Sequence, residues 1–112
     1  MANSPSFHSF TFENGVHSGA ILKSEPTKDG LNVTYEYHYK GVRVEGVLRA
    51  DRKIEGGLSG GWTETPDSPI DGEKRWEGSS VLSEVVTHGR RTLVGTWTMR
   101  GVHERWVIDL EA

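Results

Sequence analysis

The chain of 112 residues contains no cysteine, so disulfide bonds, thiolate metal sites and cysteine nucleophiles are all excluded. It also lacks any apolar run near the ~18 residues that indicate a membrane-spanning helix. Positive charge is scarce, because 13 Lys and Arg stand against 16 Asp and Glu, for a net charge of −3. Since phosphate binding needs a positive field, this balance argues against nucleic acid as a main partner.

Targeting and cofactor motifs are also missing. The N-terminal sequence MANSPSFHSF has neither the basic nor the apolar segment of a secretory signal, and we therefore predict a cytoplasmic location. There is no P-loop, no dinucleotide fingerprint and no Gly-x-Ser-x-Gly elbow, and the five histidines lack metal-binding spacing. The sequence therefore predicts no cofactor and no metal site, and it leaves a homo-oligomer open.

Apolar and polar residues alternate along most of the chain, which is the pattern of half-buried strands. The clearest run is 31–39, where every second residue is apolar. Asn14-Gly15 is a strong hairpin signal, and TPDSPIDGE at 65–73 predicts one long loop. Residues 80–88 also fit a short helix by their spacing, although their β-branched residues favour a strand.

The number and length of the predicted strands indicate the fold class. Eight or nine short strands joined by tight turns favour a meander over a sandwich, which would need more long crossovers. We therefore predict an all-β protein, a single small antiparallel meander β-barrel, over residues 1–112, with 1–6 as a flexible tail. Since only 34% of the residues are hydrophobic, aromatic side chains must supply much of the core.

Glycine recurs between apolar residues inside these predicted strands. LSGGWT at 58–63 and LVGTWT at 93–98 share the pattern L-x-G-x-W-T. One interpretation is that the glycines permit the sharp bends of a small barrel. The other is that their missing side chains leave an interior slot walled by tryptophan. The slot interpretation gives six predicted ligand-binding residues: Trp62, Trp97, Trp106, Tyr37, Gly60 and Gly95.

The Gly-x-Trp segments Gly60-Gly61-Trp62 and Gly95-Thr96-Trp97 lie in short antiparallel strands and resemble those of calycin-type barrels, the lipocalins, fatty-acid-binding proteins and avidins. This resemblance implies a barrel whose interior takes a small molecule. In lipocalins the motif lies near the N-terminus, whereas here it lies further along the chain. Thr92-Leu93-Val94-Gly95 is similar to a late avidin strand. The avidin N-terminal motif is absent, so no biotin-binding residue is carried over.

Charged residues that interrupt apolar rows are the candidates for chemistry. Glu104 lies in the row of Trp106, Glu84 and His88 share a row of the segment 80–88, and Glu64 follows Trp62 near a strand end. A buried carboxylate can serve as a general acid or base. If the protein is an enzyme, the predicted catalytic residues are Glu104, Glu84 and His88; otherwise Glu104 is a polar anchor for a ligand.

Three hypotheses for the function follow from these features. The leading one is a non-catalytic barrel that binds a mostly apolar or aromatic small molecule among Trp and Gly. The second is a cofactor-independent cyclase, isomerase or lyase that uses a buried Glu or His. The third is a lectin-like or protein-interaction module, which requires outward-facing aromatic residues. We expect Trp62, Trp97 and Trp106 to be buried and directed into one interior.

Overall fold

The computed structural model describes residues 6–111, which form eight antiparallel strands and no helix. Each strand pairs with the next in sequence, and β1 pairs with β8, so the sheet closes into a barrel. The predicted all-β meander barrel is confirmed, and the ambiguous segment 80–88 is strand through Thr87. The strands are β1 Phe7–Phe12, β2 Gly15–Pro26, β3 Gly30–Tyr39, β4 Val42–Arg52, β5 Leu58–Pro66, β6 Trp76–Thr87, β7 Arg90–Met99 and β8 Val102–Glu111.

Of the predicted N-terminal tail, residues 1–6, the first five lie outside the described residues. Ser6, the last residue of that predicted tail, is part of the barrel. Its carbonyl oxygen accepts a hydrogen bond from the Ile21 N–H at 3.1 Å, and its Oγ accepts one from the Glu111 N–H at 3.2 Å. These two bonds join the start of β1 to its neighbours β2 and β8. None of the described residues belongs to a helix long and apolar enough to cross a membrane.

Two-residue turns connect four of the strand pairs within residues 6–111. The turns are Glu13-Asn14, Lys40-Gly41, His88-Gly89 and Arg100-Gly101, and every one of these residues has φ between +46° and +83°. Positive φ at both positions defines the type I′ turn, whose twist matches that of the paired strands. Asn or Gly fills the second position each time, since these residues tolerate the left-handed conformation best.

The turns divide the barrel into two ends. Turns 13–14, 40–41 and 100–101 and the long loop 67–75 lie at one end, which we call the loop end. Connections 27–29, 53–57 and 88–89 lie at the opposite end. Within the long loop, the Ile70 side chain is buried and its backbone pairs with that of Glu73 through two hydrogen bonds of 3.0 and 2.9 Å. The loop is therefore anchored against the barrel mouth.

Alternation along the strands fills the interior as the sequence predicts. Trp62, Trp97 and Trp106 are only 5%, 7% and 3% exposed, so the expectation that they share one interior is confirmed. Towards the end opposite the long loop, leucines such as Leu58, Leu82 and Leu93 are buried. The interior aromatic residues therefore cluster towards the loop end, beside aliphatic residues such as Val44 and Ile70, and leucines fill the opposite end.

Backbone of a neighbouring strand fills the space beside Gly60 and Gly95, two of the predicted ligand-binding residues. A Cβ at Gly60 would collide with the carbonyl oxygen of Arg49, and one at Gly95 with the carbonyl oxygen of Val81. Neither glycine lines the cavity described below. Their missing side chains allow the backbone of a neighbouring strand to approach closely, and they leave no slot for a ligand.

Candidate ligand-binding site

A cavity of about 190 Å³ lies within the loop end of the barrel. For comparison, an apolar protein cavity of about 150 Å³ holds one benzene molecule. Side chains of the turns and of the long loop contribute to its outer part. Its aromatic lining comes from six strands and consists of Phe10, Phe12, Tyr37, Tyr39, Trp62, Trp76, Trp97 and Trp106. The other lining residues are His8, Glu13, Lys40, Glu64, Ile70, Asp71, Glu73 and Met99.

The aromatic walls meet at steep angles. The Phe10 ring lies 4.8 Å from that of Tyr37 at 70° and 6.4 Å from that of Trp97 at 85°. The rings of Trp62 and Trp97 are 6.3 Å apart at 83°. Such edge-to-face contacts are the favoured geometry of aromatic pairs. The rings therefore stand as adjoining walls around a cavity that opens at the loop end of the barrel.

The indole N–H groups of these walls are bound within the protein. Trp97 donates to the carbonyl oxygen of Thr11 at 3.2 Å, and Trp62 donates to that of Ser79 at 3.0 Å. Trp76 donates to a carboxylate oxygen of Glu73 at 2.7 Å. Because these bonds fix the orientation of each ring, the protein itself holds the cavity walls in place.

Glu64 on β5 is the carboxylate that two tyrosines of β3 hold in the cavity wall. The Tyr35 hydroxyl donates to its Oε2 and the Tyr37 hydroxyl to its Oε1, both at 2.7 Å. Gly46 of β4 lies between them, opposite Tyr35 on one side and opposite Glu64 on the other. A Cβ at Gly46 would collide with the Tyr35 ring. The glycine therefore lets the Tyr35 hydroxyl reach across β4 to the carboxylate.

The environment of Glu64 changes its acid–base behaviour. Burial raises the pKa of Glu64 above its usual 4.5, and the two tyrosine hydrogen bonds partly offset that increase because they favour the ionised form. Burial and the nearby carboxylate raise the pKa of Tyr35 and of Tyr37, so both hydroxyls keep their protons and remain donors. Each carboxylate oxygen accepts one of these bonds and retains capacity for a further donor.

His8 on β1 is a second buried polar group that lines the cavity. Its Nε2 lies 2.9 Å from the carbonyl oxygen of Glu36, and its Nδ1 lies 3.2 Å from the indole nitrogen of Trp106. A carbonyl can only accept and an indole N–H can only donate. His8 is therefore the neutral tautomer with its proton on Nε2. Burial lowers the pKa of His8 below 6.5, which favours this neutral form.

Four of the six predicted ligand-binding residues, Tyr37, Trp62, Trp97 and Trp106, line the cavity. These four side chains come from four different strands and meet around one cavity. The slot interpretation predicted such a meeting for the tryptophans. The tryptophans of the repeated motif therefore line the cavity, and its two glycines, Gly60 and Gly95, do not.

The three predicted catalytic residues do not come together. Glu84 lies towards the end opposite the cavity, where it pairs with Arg52 at 2.9 Å and Arg91 at 3.0 Å. The hydrogen bond from Arg52 lowers the pKa of Glu84, which opposes a role as a proton donor. His88 is exposed in a turn at that same end, and Glu104 is half-buried without lining the cavity. The structure therefore places none of the three at the cavity, and a catalytic role for any of them stays a prediction from the sequence.

Sequence reasoning noted Glu64 but passed over it, and it missed His8 and Tyr35. The available signal for His8 was its place in the row that continues with Phe10 and Phe12. The signal for Glu64 was its position two residues after Trp62. Neither signal shows which tyrosines lie across the barrel wall, because that depends on strand register.

No metal centre or known relative guides the assignment further. Among residues 6–111, no group of three or more His, Asp or Glu side chains could hold a metal ion. Comparisons with protein-family models, with curated proteins and with solved structures find no match for this chain. The function is therefore argued from the cavity alone.

The Tyr35 hydroxyl can be tested as a support of the Glu64 carboxylate. We expect Tyr35→Phe to lower the free energy of unfolding by about 1–3 kcal/mol near neutral pH, because a buried carboxylate oxygen loses its donor. The loss should be smaller near pH ~4, where Glu64 is protonated and less in need of that donor. Urea unfolding at both pH values measures the difference.

The matched control is Tyr39→Phe, since the half-buried Tyr39 packs against rings. We expect that change to stay within about 0.5 kcal/mol. An equal loss for Tyr35→Phe at both pH values would show that the hydroxyl does not act through the ionised carboxylate.

Proposed function

We propose that this protein is a non-catalytic binding barrel that takes one small, mostly apolar or aromatic molecule in the loop-end cavity. The observation that carries the proposal is a cavity of about 190 Å³ with aromatic walls and a carboxylate, Glu64, that two tyrosine hydroxyls hold in the wall. Ligand sites characteristically combine apolar walls with a few polar groups that fix orientation. Here Glu64 is the polar group that would orient the ligand.

The volume limits the size of this ligand. Pockets for drug-sized molecules begin at about 300 Å³, and this cavity is smaller. A compound with one six-membered ring and a short polar substituent fits the available space, whereas a fused-ring compound would extend beyond it. Because hydrogen bonds already fix the rings of Trp62, Trp76 and Trp97, binding would cost little reordering of the protein.

The test is to fill the cavity from within while monitoring benzyl alcohol by ligand-observed NMR. Phe12 lines the cavity, and Phe7, at the other end of the same strand, is exposed. We expect wild type to bind benzyl alcohol, Phe12→Trp to weaken binding at least ~10-fold, and Phe7→Trp to leave it unchanged. Binding that survives Phe12→Trp would place the ligand elsewhere, and wild type that binds no single-ring compound would refute the proposal.

A cofactor-independent enzyme is the second candidate, and one observation favours it. Glu64 faces the cavity and burial raises its pKa, which is a property of carboxylates that transfer protons at neutral pH. Product analysis of the same mixtures tests this alternative. Conversion of a compound by wild type, lost in Glu64→Gln with binding retained, would replace the binding function with catalysis.

The lectin-like hypothesis requires outward-facing aromatic residues, and all four tryptophans are buried in the barrel. We do not propose it further. A relationship to the calycin-type barrels is proposed on architecture alone, since a closed antiparallel eight-stranded barrel is compatible with that group. The cytoplasmic location, the absence of a nucleic-acid partner and a homo-oligomer stay predictions from the sequence.

A further inference from the structure

The charges around the cavity are unevenly distributed. Four carboxylates, Glu13, Glu64, Asp71 and Glu73, line it, against the single ammonium group of Lys40. Lys40 pairs with Asp71 at 2.6 Å, and Arg100, from the adjoining turn, pairs with Glu73 at 2.7 Å. These two pairs neutralise the acidic groups contributed by the long loop.

Glu64 is different from the loop carboxylates, because no Lys, Arg or His within residues 6–111 forms an ion pair with it. Its two partners are the neutral hydroxyls of Tyr35 and Tyr37. Two hydroxyl donors orient a carboxylate but supply no compensating charge. An ionised Glu64 therefore presents an uncompensated negative charge in the cavity wall, where the surrounding protein screens it less than water would.

The aromatic walls favour the same sign of ligand charge. The faces of Trp and Tyr rings carry the negative part of the ring quadrupole and attract organic cations. Three contacting pairs among Phe10, Tyr37, Trp62 and Trp97 meet at angles of 70–85° around the space. Rings arranged as adjoining walls can surround an ammonium group and its carbon neighbours, which a parallel stack cannot do.

Other ligand charges fit less well. Mg²⁺ and Ca²⁺ take six or more oxygen ligands, whereas this wall offers one carboxylate whose oxygens already accept hydrogen bonds from two phenols. An anion would meet the Glu64 charge. A neutral molecule fits the volume but leaves that charge uncompensated.

We infer that the ligand is a small organic monocation, a protonated amine of single-ring size, whose ammonium group lies against Glu64 while its carbon skeleton contacts the aromatic walls. This inference rests on the proposed binding function. The tyrosine pair then has a defined role, since it fixes the carboxylate as the acceptor for the ammonium N–H groups.

The experiment compares three probes with the same ring and different charge: benzylammonium, benzyl alcohol and benzoate. Dissociation constants are measured by titration calorimetry near pH 7 for wild type, Glu64→Gln and Glu104→Gln. Glu104 makes the matched control because it lies in an inward row on β8 and does not line the cavity. Both substitutions remove one negative charge from the whole protein, and only one removes it from the cavity wall.

We expect wild type to bind benzylammonium at least ~10-fold more tightly than benzyl alcohol and not to bind benzoate detectably. Glu64→Gln should reduce the benzylammonium affinity to that of the alcohol, while Glu104→Gln should keep the wild-type selectivity. Phe12→Trp should abolish binding of the cation, which locates it in the cavity. If Glu64→Gln fails to fold, the order of the three dissociation constants for wild type tests the inference by itself.

The outcomes separate this inference from the function on which it rests. Equal affinity for benzylammonium and benzyl alcohol would overturn the cation assignment and leave a binding barrel for neutral rings. Selectivity for the cation that persists in folded Glu64→Gln would also overturn it. Failure of all three probes to bind wild type would overturn both.

Discussion

Gly60→Ala is expected to destabilise the barrel by about 2–4 kcal/mol, whereas Gly61→Ala should leave stability unchanged or raise it slightly. A Cβ at Gly60 would collide with the backbone carbonyl of Arg49, which is held in the β4–β5 pairing. At Gly61 the nearest atom to a Cβ is the carbonyl oxygen of Gly78, at an ordinary 3.6 Å. The two glycines lie on opposite faces of β5, and the space beside the inward-facing Gly60 is the one that backbone fills.

Urea unfolding of the two variants measures this difference, and Gly95→Ala extends it to the second copy of the motif. A Cβ at Gly95 would collide with the carbonyl oxygen of Val81, so a similar loss is expected. Variants that remain folded should bind single-ring compounds as wild type does, because neither glycine lines the cavity. Equal stabilities for Gly60→Ala and Gly61→Ala would contradict the steric explanation.

The fold could be read from the sequence because its determinants are local. Alternation of apolar and polar residues fixes which side chains of a strand enter the core, and it directed the tryptophans inward. Short turns with Asn or Gly in second position leave room only for hairpins between sequential strands. A chain of such hairpins with one longer loop has few alternatives to a meander.

The candidate site could be read only in part, because its determinants are not local. Glu64 and Glu104 look alike in sequence, since each lies two residues from a tryptophan in an apolar row. They differ in their neighbours across the sheet, because Glu64 meets the hydroxyls of residues 29 and 27 positions away. That meeting depends on the register of β3, β4 and β5 and on the missing side chain of Gly46. Neither is visible in the alternation of one strand.

The glycine motif was misleading for a related reason. Gly60 and Gly95 lie in inward rows next to tryptophans, and a missing inward side chain can equally mean empty space or a closely packed neighbour. The choice depends on how the strands curve past each other, which a small closed barrel determines as a whole. Gly46 shows a third outcome, in which the space is occupied by the Tyr35 ring.

The stability of the protein is expected to fall as the pH drops below about 6.5, and His8 is the reason. Folding lowers the pKa of His8, so the unfolded chain takes up this proton at a higher pH than the folded chain. Stability from the neutral ring is therefore complete above 6.5 and is lost as the pH falls towards the folded pKa. The slope that one such proton gives is at most about 1.4 kcal/mol per pH unit.

Glu64 acts in the opposite direction, which allows the two groups to be separated. Its pKa is raised by folding, so the folded chain keeps this proton to a higher pH than the unfolded chain. Stability contributed by the protonated form is present below 4.5 and is lost as the pH rises through the folded pKa. Glu64→Gln should remove this loss and leave the His8 effect in place.

The decisive variant for the acid effect is His8→Gln, measured by urea unfolding between about pH 5 and pH 8. A glutamine can donate its amide N–H to the Glu36 carbonyl and accept the Trp106 N–H through its oxygen, and it does not titrate. We expect it to flatten the pH dependence below 6.5, while His38→Gln, a change at an exposed residue of β3, should leave the wild-type slope. A slope that persists in His8→Gln would show that the acid sensitivity arises elsewhere, because the ring that links β1 to β3 and β8 would no longer take up a proton.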